Sequence, residues 1–118
     1  MADKLYFNNI FIGEIENNSS DFPSFSGDFK LLLDSKDKTA LHISNYIDFS
    51  ARQSEFYENQ IDIDNYEAVE DELVKEEETY IDLINSSAWT IHEKNGEVTK
   101  ILVPVFGNDE ISWRLSMD

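Results

Sequence analysis

This sequence predicts an α+β domain built on an antiparallel sheet, and three observations carry that expectation. Two short β-rich runs open the chain, residues from about Asp37 to Ile84 repeat at helical spacing, and residues after Ser87 alternate apolar and polar between turn residues. The expected arrangement is an N-terminal hairpin and a C-terminal three-stranded meander in one sheet, with two helices packed on one face. At 118 residues the chain predicts a single domain spanning 1–118, long enough for one core.

Leu5-Tyr6-Phe7 and Ile10 to Ile15 form the opening runs, and Asn8-Asn9 between them tolerate the positive φ of a tight hairpin turn. Glu16 to Gly27 concentrates Asn, Ser and Asp together with Pro23, which predicts a loop pinned by Phe22 and Phe25. Asp28 to Leu33 is a short apolar run, and periodicity alone leaves strand and helix start both open there. Residues 40–50 also fit two patterns. Leu41, Ile43, Ile47 and Phe49 alternate as in a strand, whereas Ala40, Ile43, Tyr46, Ile47 and Ala51 share a helical face. A strand would leave 51–64 as a structureless connection near the uncommon length of about 12–15 residues. A helix from about Asp37 to Tyr57, capped by Asp37, avoids that loop and is preferred.

The second helix is clearer. Tyr66, Val69, Leu73, Tyr80 and Ile84 fall on one face, and Asp64 with Glu67 has the spacing of a capping box. Glu67, Asp71, Lys75, Glu78 and Asp82 form a ridge on another side, widened by Glu70, Glu72, Glu76 and Glu77. After it come Ala88 to Lys94, an Asn95-Gly96 type I′ turn, Val98 to Phe106, a turn at Gly107 to Glu110, and Ile111 to Leu115. Pro104 donates no ladder hydrogen bond, so it is expected at an edge or a bulge.

Charge is the strongest functional signal. Residues 55–82 hold twelve carboxylates against Lys75, a local −11 out of −16 for the chain. That total exceeds the magnitude of about 2–8 that keeps a small domain soluble, so the excess points to a basic partner. Phosphate binding needs clustered Lys and Arg, and the nine present are scattered, which argues against direct nucleic-acid binding. The absence of cysteine removes thiolate chemistry and fits a reducing cytosol. No apolar run reaches the ~18 residues of a membrane span and no signal peptide opens the chain, so a cytoplasmic protein is expected.

Catalysis finds no foothold. His42 and His92 lack metal-ligand spacing, and Asp62-x-Asp64 begins like a calcium loop but has Glu67 where that loop needs glycine. The four glycines are isolated, with no phosphate-cradling loop or nucleophile elbow. The sequence therefore predicts no enzyme activity, no cofactor and no metal. Paired carboxylates carry no information in a chain with 25 acids.

A small, acidic, cysteine-free α+β chain resembles bacterial immunity proteins, which neutralise a sibling toxin, commonly a basic nuclease. The run Ala88-Trp89-Thr90-Ile91, Asn95-Gly96, Ile101 to Phe106 and Trp113-Arg114 is similar to the ends of small uncharacterised bacterial proteins. The resemblance implies occlusion of a basic toxin's cleft, and the acidic ridge supplies the candidate contacts Glu67, Glu70, Asp71, Glu78 and Asp82. Two alternatives stay open. Acids four residues apart rise about 6 Å along a helix, a spacing comparable with successive phosphates, which suits a phage or mobile-element DNA mimic blocking a restriction or CRISPR effector. The other is a non-inhibitory structural or adaptor subunit.

Overall fold

The computed structural model describes residues 2–21, 24–34, 36–58 and 66–116. In chain order these form β1 (Asp3–Phe7), β2 (Ile10–Asp21), β3 (Ser24–Leu31), α1 (Lys38–Glu58), α2 (Tyr66–Glu78), α3 (Ile81–Ile84), β4 (Trp89–His92), β5 (Val98–Lys100), β6 (Val105–Gly107) and β7 (Glu110–Arg114). The strands make one antiparallel sheet in the order β5-β4-β1-β2-β3-β7-β6, the predicted α+β class.

β1 and β2 are the expected hairpin, with Phe7 opposite Ile10 and Asn8 at φ 54°. The expected loop at Glu16 to Gly27 is overturned. β2 runs on to Asp21 and β3 begins at Ser24, with Ser19 opposite Ser26 and Ser20 opposite Phe25. Two features let such polar sequence stay extended. Asn17, at φ 55°, sits in a bulge where the register shifts and donates its side-chain amide to Asp28 at 2.7 Å. On the far side β3 pairs with β7, where Phe25 stacks on Trp113 with ring centres 5.9 Å apart. Phe22 and Pro23 lie outside the described residues. The Asp28–Leu33 run resolves as strand, to Leu31.

The expected C-terminal meander is there in outline, but its middle strand is broken into β5 and β6. β4 and β5 pair at one edge beside β1, and β6 and β7 at the other beside β3, so the N-terminal strands lie between the two C-terminal pairs. Residues 100–102 bring the two edges together. Ile101 donates its N–H to Trp89 and bridges to Leu115, Leu102 donates to Arg114, and Ser116 donates to Lys100. The sheet thereby curls toward closure, which hides edges that would otherwise template aggregation. Pairing lapses at 103–104, where Pro104 is wholly buried, so the proline falls at an interruption as its missing N–H requires. The turn at Asn95-Gly96 is a three-residue Lys94-Asn95-Gly96 loop and not the two-residue type I′ expected. Glu93 and Glu97 pair across it, and Gly96 alone of the three takes a positive φ, 95°.

Beyond the break β6 has no strand on its outer side among the described residues, and α1 packs there. Asp37 caps this helix as predicted, its Oδ1 accepting from the Ala40 N–H at 2.8 Å. Tyr46, Ser50 and Ser54, four residues apart on one face, form a ladder of hydroxyls against the strand. Tyr46 donates to the Pro104 carbonyl at 2.9 Å, Ser50 accepts from the Phe106 N–H at 2.8 Å, and Ser54 donates to the Phe106 carbonyl at 2.8 Å. An unpaired buried N–H costs about 1–3 kcal/mol, so these hydroxyls stand in for a missing strand. Around them Ile43, Phe49, Trp89 and Phe106 join the core, with the Tyr46 ring 6.2 Å from both Trp89 and Phe106.

α2 packs against α1, and the continuous stripe expected through Ile84 is broken at Thr79-Tyr80. Thr79 and Tyr80 donate three residues back, to Glu76 and Glu77, which tightens and ends the helix. Tyr80 and Leu83, on either side of the break's end, are both buried in the core, where Trp89 donates its indole N–H to the Leu83 carbonyl at 2.9 Å. Asp64 of the expected capping box lies outside the described residues.

Candidate functional site

Seven carboxylates crowd the thirteen residues of α2, and the structure divides them into two sets. The inner set is spent on the fold. Arg52 of α1 grips Glu76 through two nitrogens, one at 3.1 Å, while bonding Asp48 on its own helix at 3.0 Å. The hydrogen bond to Glu76 raises the already high Arg52 pKa further, so this guanidinium stays charged. Gln53 donates to Glu77 at 3.1 Å, and Tyr66 donates to Glu70 at 3.4 Å. The Tyr66 ring in turn stacks on Phe56 of α1, 4.8 Å between centres.

Glu67, Asp71, Glu72 and Glu78 form the outer set. All four are exposed, and none takes a hydrogen bond or ion pair among the described residues. Lys75, also exposed, makes no ion pair there either. Like charges at helical spacing with no neutralising partner destabilise α2 by a few tenths of a kcal/mol per pair, a cost about as large as such pairs contribute when opposite. The helix dipole offsets this only at Glu67, in its first turn.

Of the five predicted contact residues, Glu67, Asp71 and Glu78 share this outer face, whereas Glu70 is turned partly inward to Tyr66. Asp82 stands apart. The break after Glu78 carries it onto α3, where it accepts from His42 Nε2 of α1 at 3.0 Å. That hydrogen bond holds the Asp82 carboxyl below the usual carboxylate range. The second histidine, His92, lies with its ring 4.2 Å from that of Tyr6. No group of three or more His, Asp or Glu among the described residues is arranged to hold a metal ion.

Sequence reasoning passed over two residues of this surface. Val74, between Asp71 and Glu78, is 53% exposed and Ile81 is 51% exposed, so apolar surface lies among the acids. Their signal was available: both are β-branched apolar residues that fall off the helix's buried stripe. Among the described residues no helix is long and apolar enough to cross a membrane. No protein-family model, curated protein or solved structure matches the chain.

Proposed function

We propose that the protein is a stoichiometric inhibitor of a basic protein, acting as an immunity protein does on a nuclease toxin, with the outer face of α2 covering the partner's cleft. The observation that carries this reading is the division of the α2 carboxylates. Those facing α1 are paired, while Glu67, Asp71, Glu72 and Glu78 face solvent without a partner among the described residues. Exposed like charge of this density steers a basic partner into encounter and repels acidic ones. Val74 favours a protein surface over phosphate mimicry, because interfaces combine an apolar centre with a polar rim and a phosphate row does not.

The test is capture of basic proteins from the source cell by three forms of the chain, at low and raised salt. Wild type should retain a basic protein, and Asp71→Lys with Glu78→Lys should lose it, with association slowed by about tenfold or more. A control with the same charge change on the sheet, Glu97→Lys with Glu110→Lys, should retain it. Equal loss in both double variants would reduce the effect to net charge and remove α2 as the site.

A further inference from the structure

A second recess lies in the sheet and involves no helix. At the end of the curl where residues 100–102 join the edges, Phe25, Ile91, Trp113 and Leu115 line a cavity of about 440 Å³ together with Asp3 and Glu93. That volume falls within the range of about 300–1,000 Å³ typical of small-molecule sites, and the mouth of a curled sheet is a common place for one. Its apolar floor is the stacked pair Phe25 and Trp113.

The polar part has one sign. Asp3 is 93% buried by its 7% exposure, and its described partners are neutral: the Asn18 side-chain amide and the Lys94 backbone N–H at 2.9 Å. Glu93 is half-buried and accepts from the Thr99 hydroxyl at 2.9 Å. Among the described residues no Lys or Arg lines the cavity. A carboxylate taken out of water is costly without a counter-charge, and the buried Asp3, with the half-buried Glu93 and a pair of aromatic faces beside it, has no ion-pair partner among the described residues. Aromatic faces attract cations as well, most strongly where water is excluded.

From this we infer that the cavity is a binding site for a small organic cation, an ammonium or guanidinium carried on an apolar or aromatic body. The charged head lies between Asp3 and Glu93 while the body covers Phe25 and Trp113. The site shares no residue with α2, so it holds or fails independently of the partner-binding reading.

Titration of the full chain with 2-phenylethylammonium, followed by NMR, tests it. Saturable shifts at the Trp113 indole and Phe25 ring are expected, with no saturation by 3-phenylpropionate, which has the same body and the opposite charge. Asp3→Asn keeps an acceptor for Lys94 and removes the charge, and should weaken binding roughly tenfold. Glu93→Gln provides the same reading should Asp3→Asn fail to fold. Absence of saturation at millimolar ligand, equal binding of the propionate, or unchanged affinity in the folded variants would each overturn the assignment.

Discussion

α1 and α2 are both amphipathic helices, yet the fold uses them in opposite ways. α1 buries Ala40, Ile43, Tyr46, Ile47, Phe49 and Ser50 and lends its hydroxyls to the open side of β6, whereas α2 buries only Leu73. The first helix completes a sheet. The second rests on the first through Leu73, the Phe56–Tyr66 ring pair and the Arg52–Glu76 ion pair, and leaves its acids outside. The difference teaches that helical periodicity reports which face is apolar but not how much depends on that face. Stability should therefore be concentrated at α1 and β6, and α2 should be the element that opens first.

The largest expected effect tests that division directly. Phe106→Ala removes a fully buried ring between α1 and the sheet and should cost about 3–5 kcal/mol in denaturant unfolding. Leu73→Ala should cost about 2 kcal/mol, near the low end for such truncations, because the loosely held α2 can settle inward. Hydrogen exchange separates the two more sharply. The Phe106 variant should lose protection across the sheet and α1, the Leu73 variant chiefly in α2. Equal global loss in both would mean that α2 is bound into the core as firmly as α1.

The sequence made parts of this contrast legible and hid others for a physical reason. Legible features were local: the Asn8-Asn9 turn, the Asp37 cap, the acidic outer row of α2 and the proline-bearing interruption all follow from chemistry within a few residues. Hidden features depend on partners far along the chain. The polar stretch 16–21 is extended because β3 and then β7 lie beside it, and Asn18 reaches back to Asp3. Ser50 and Ser54 look like helix-neutral residues until β6 supplies backbone groups more than fifty residues away. Asp82 continues the ridge by spacing, but the helix ends at Glu78 and the turn at Thr79-Tyr80 places Asp82 on α3, against His42 of α1.

A smaller effect sharpens the hydroxyl ladder. Burial pushes the Tyr46 phenol up to about 12 from its ordinary value of 10.0, so the folded state favours the neutral form. A group whose folded pKa is raised contributes stability that is complete below the unfolded value and lost as pH rises through the folded one. Wild type should thus lose on the order of 2–3 kcal/mol between pH 10 and 12 through this residue. Tyr46→Phe should be less stable at neutral pH, lacking the bond to Pro104, but should lose that much less over the alkaline interval. Urea unfolding of both forms across this range makes the comparison, and parallel slopes would place the phenol in water.

The smallest effect concerns the residue on the border between the two helices. Asp82 belongs by sequence to the acidic row and by geometry to α1 through His42, and its carboxyl is held below the ordinary 3.8 by that hydrogen bond. Because the folded pKa is depressed, the contribution is present above the unfolded value and lost as pH falls through the folded one. Its size is limited, since the side chain is 64% exposed and exposed pairs are worth about 0–1 kcal/mol. Asp82→Asn should therefore shift stability by less than about 1 kcal/mol at neutral pH and flatten the acid limb below pH 3.8 slightly. If it also left partner capture intact while Asp71→Lys with Glu78→Lys abolished it, Asp82 would be part of the frame that holds α2 in place. Loss of capture on removing the Asp82 charge, with unchanged stability, would instead extend the contact surface past the helix break and onto α3.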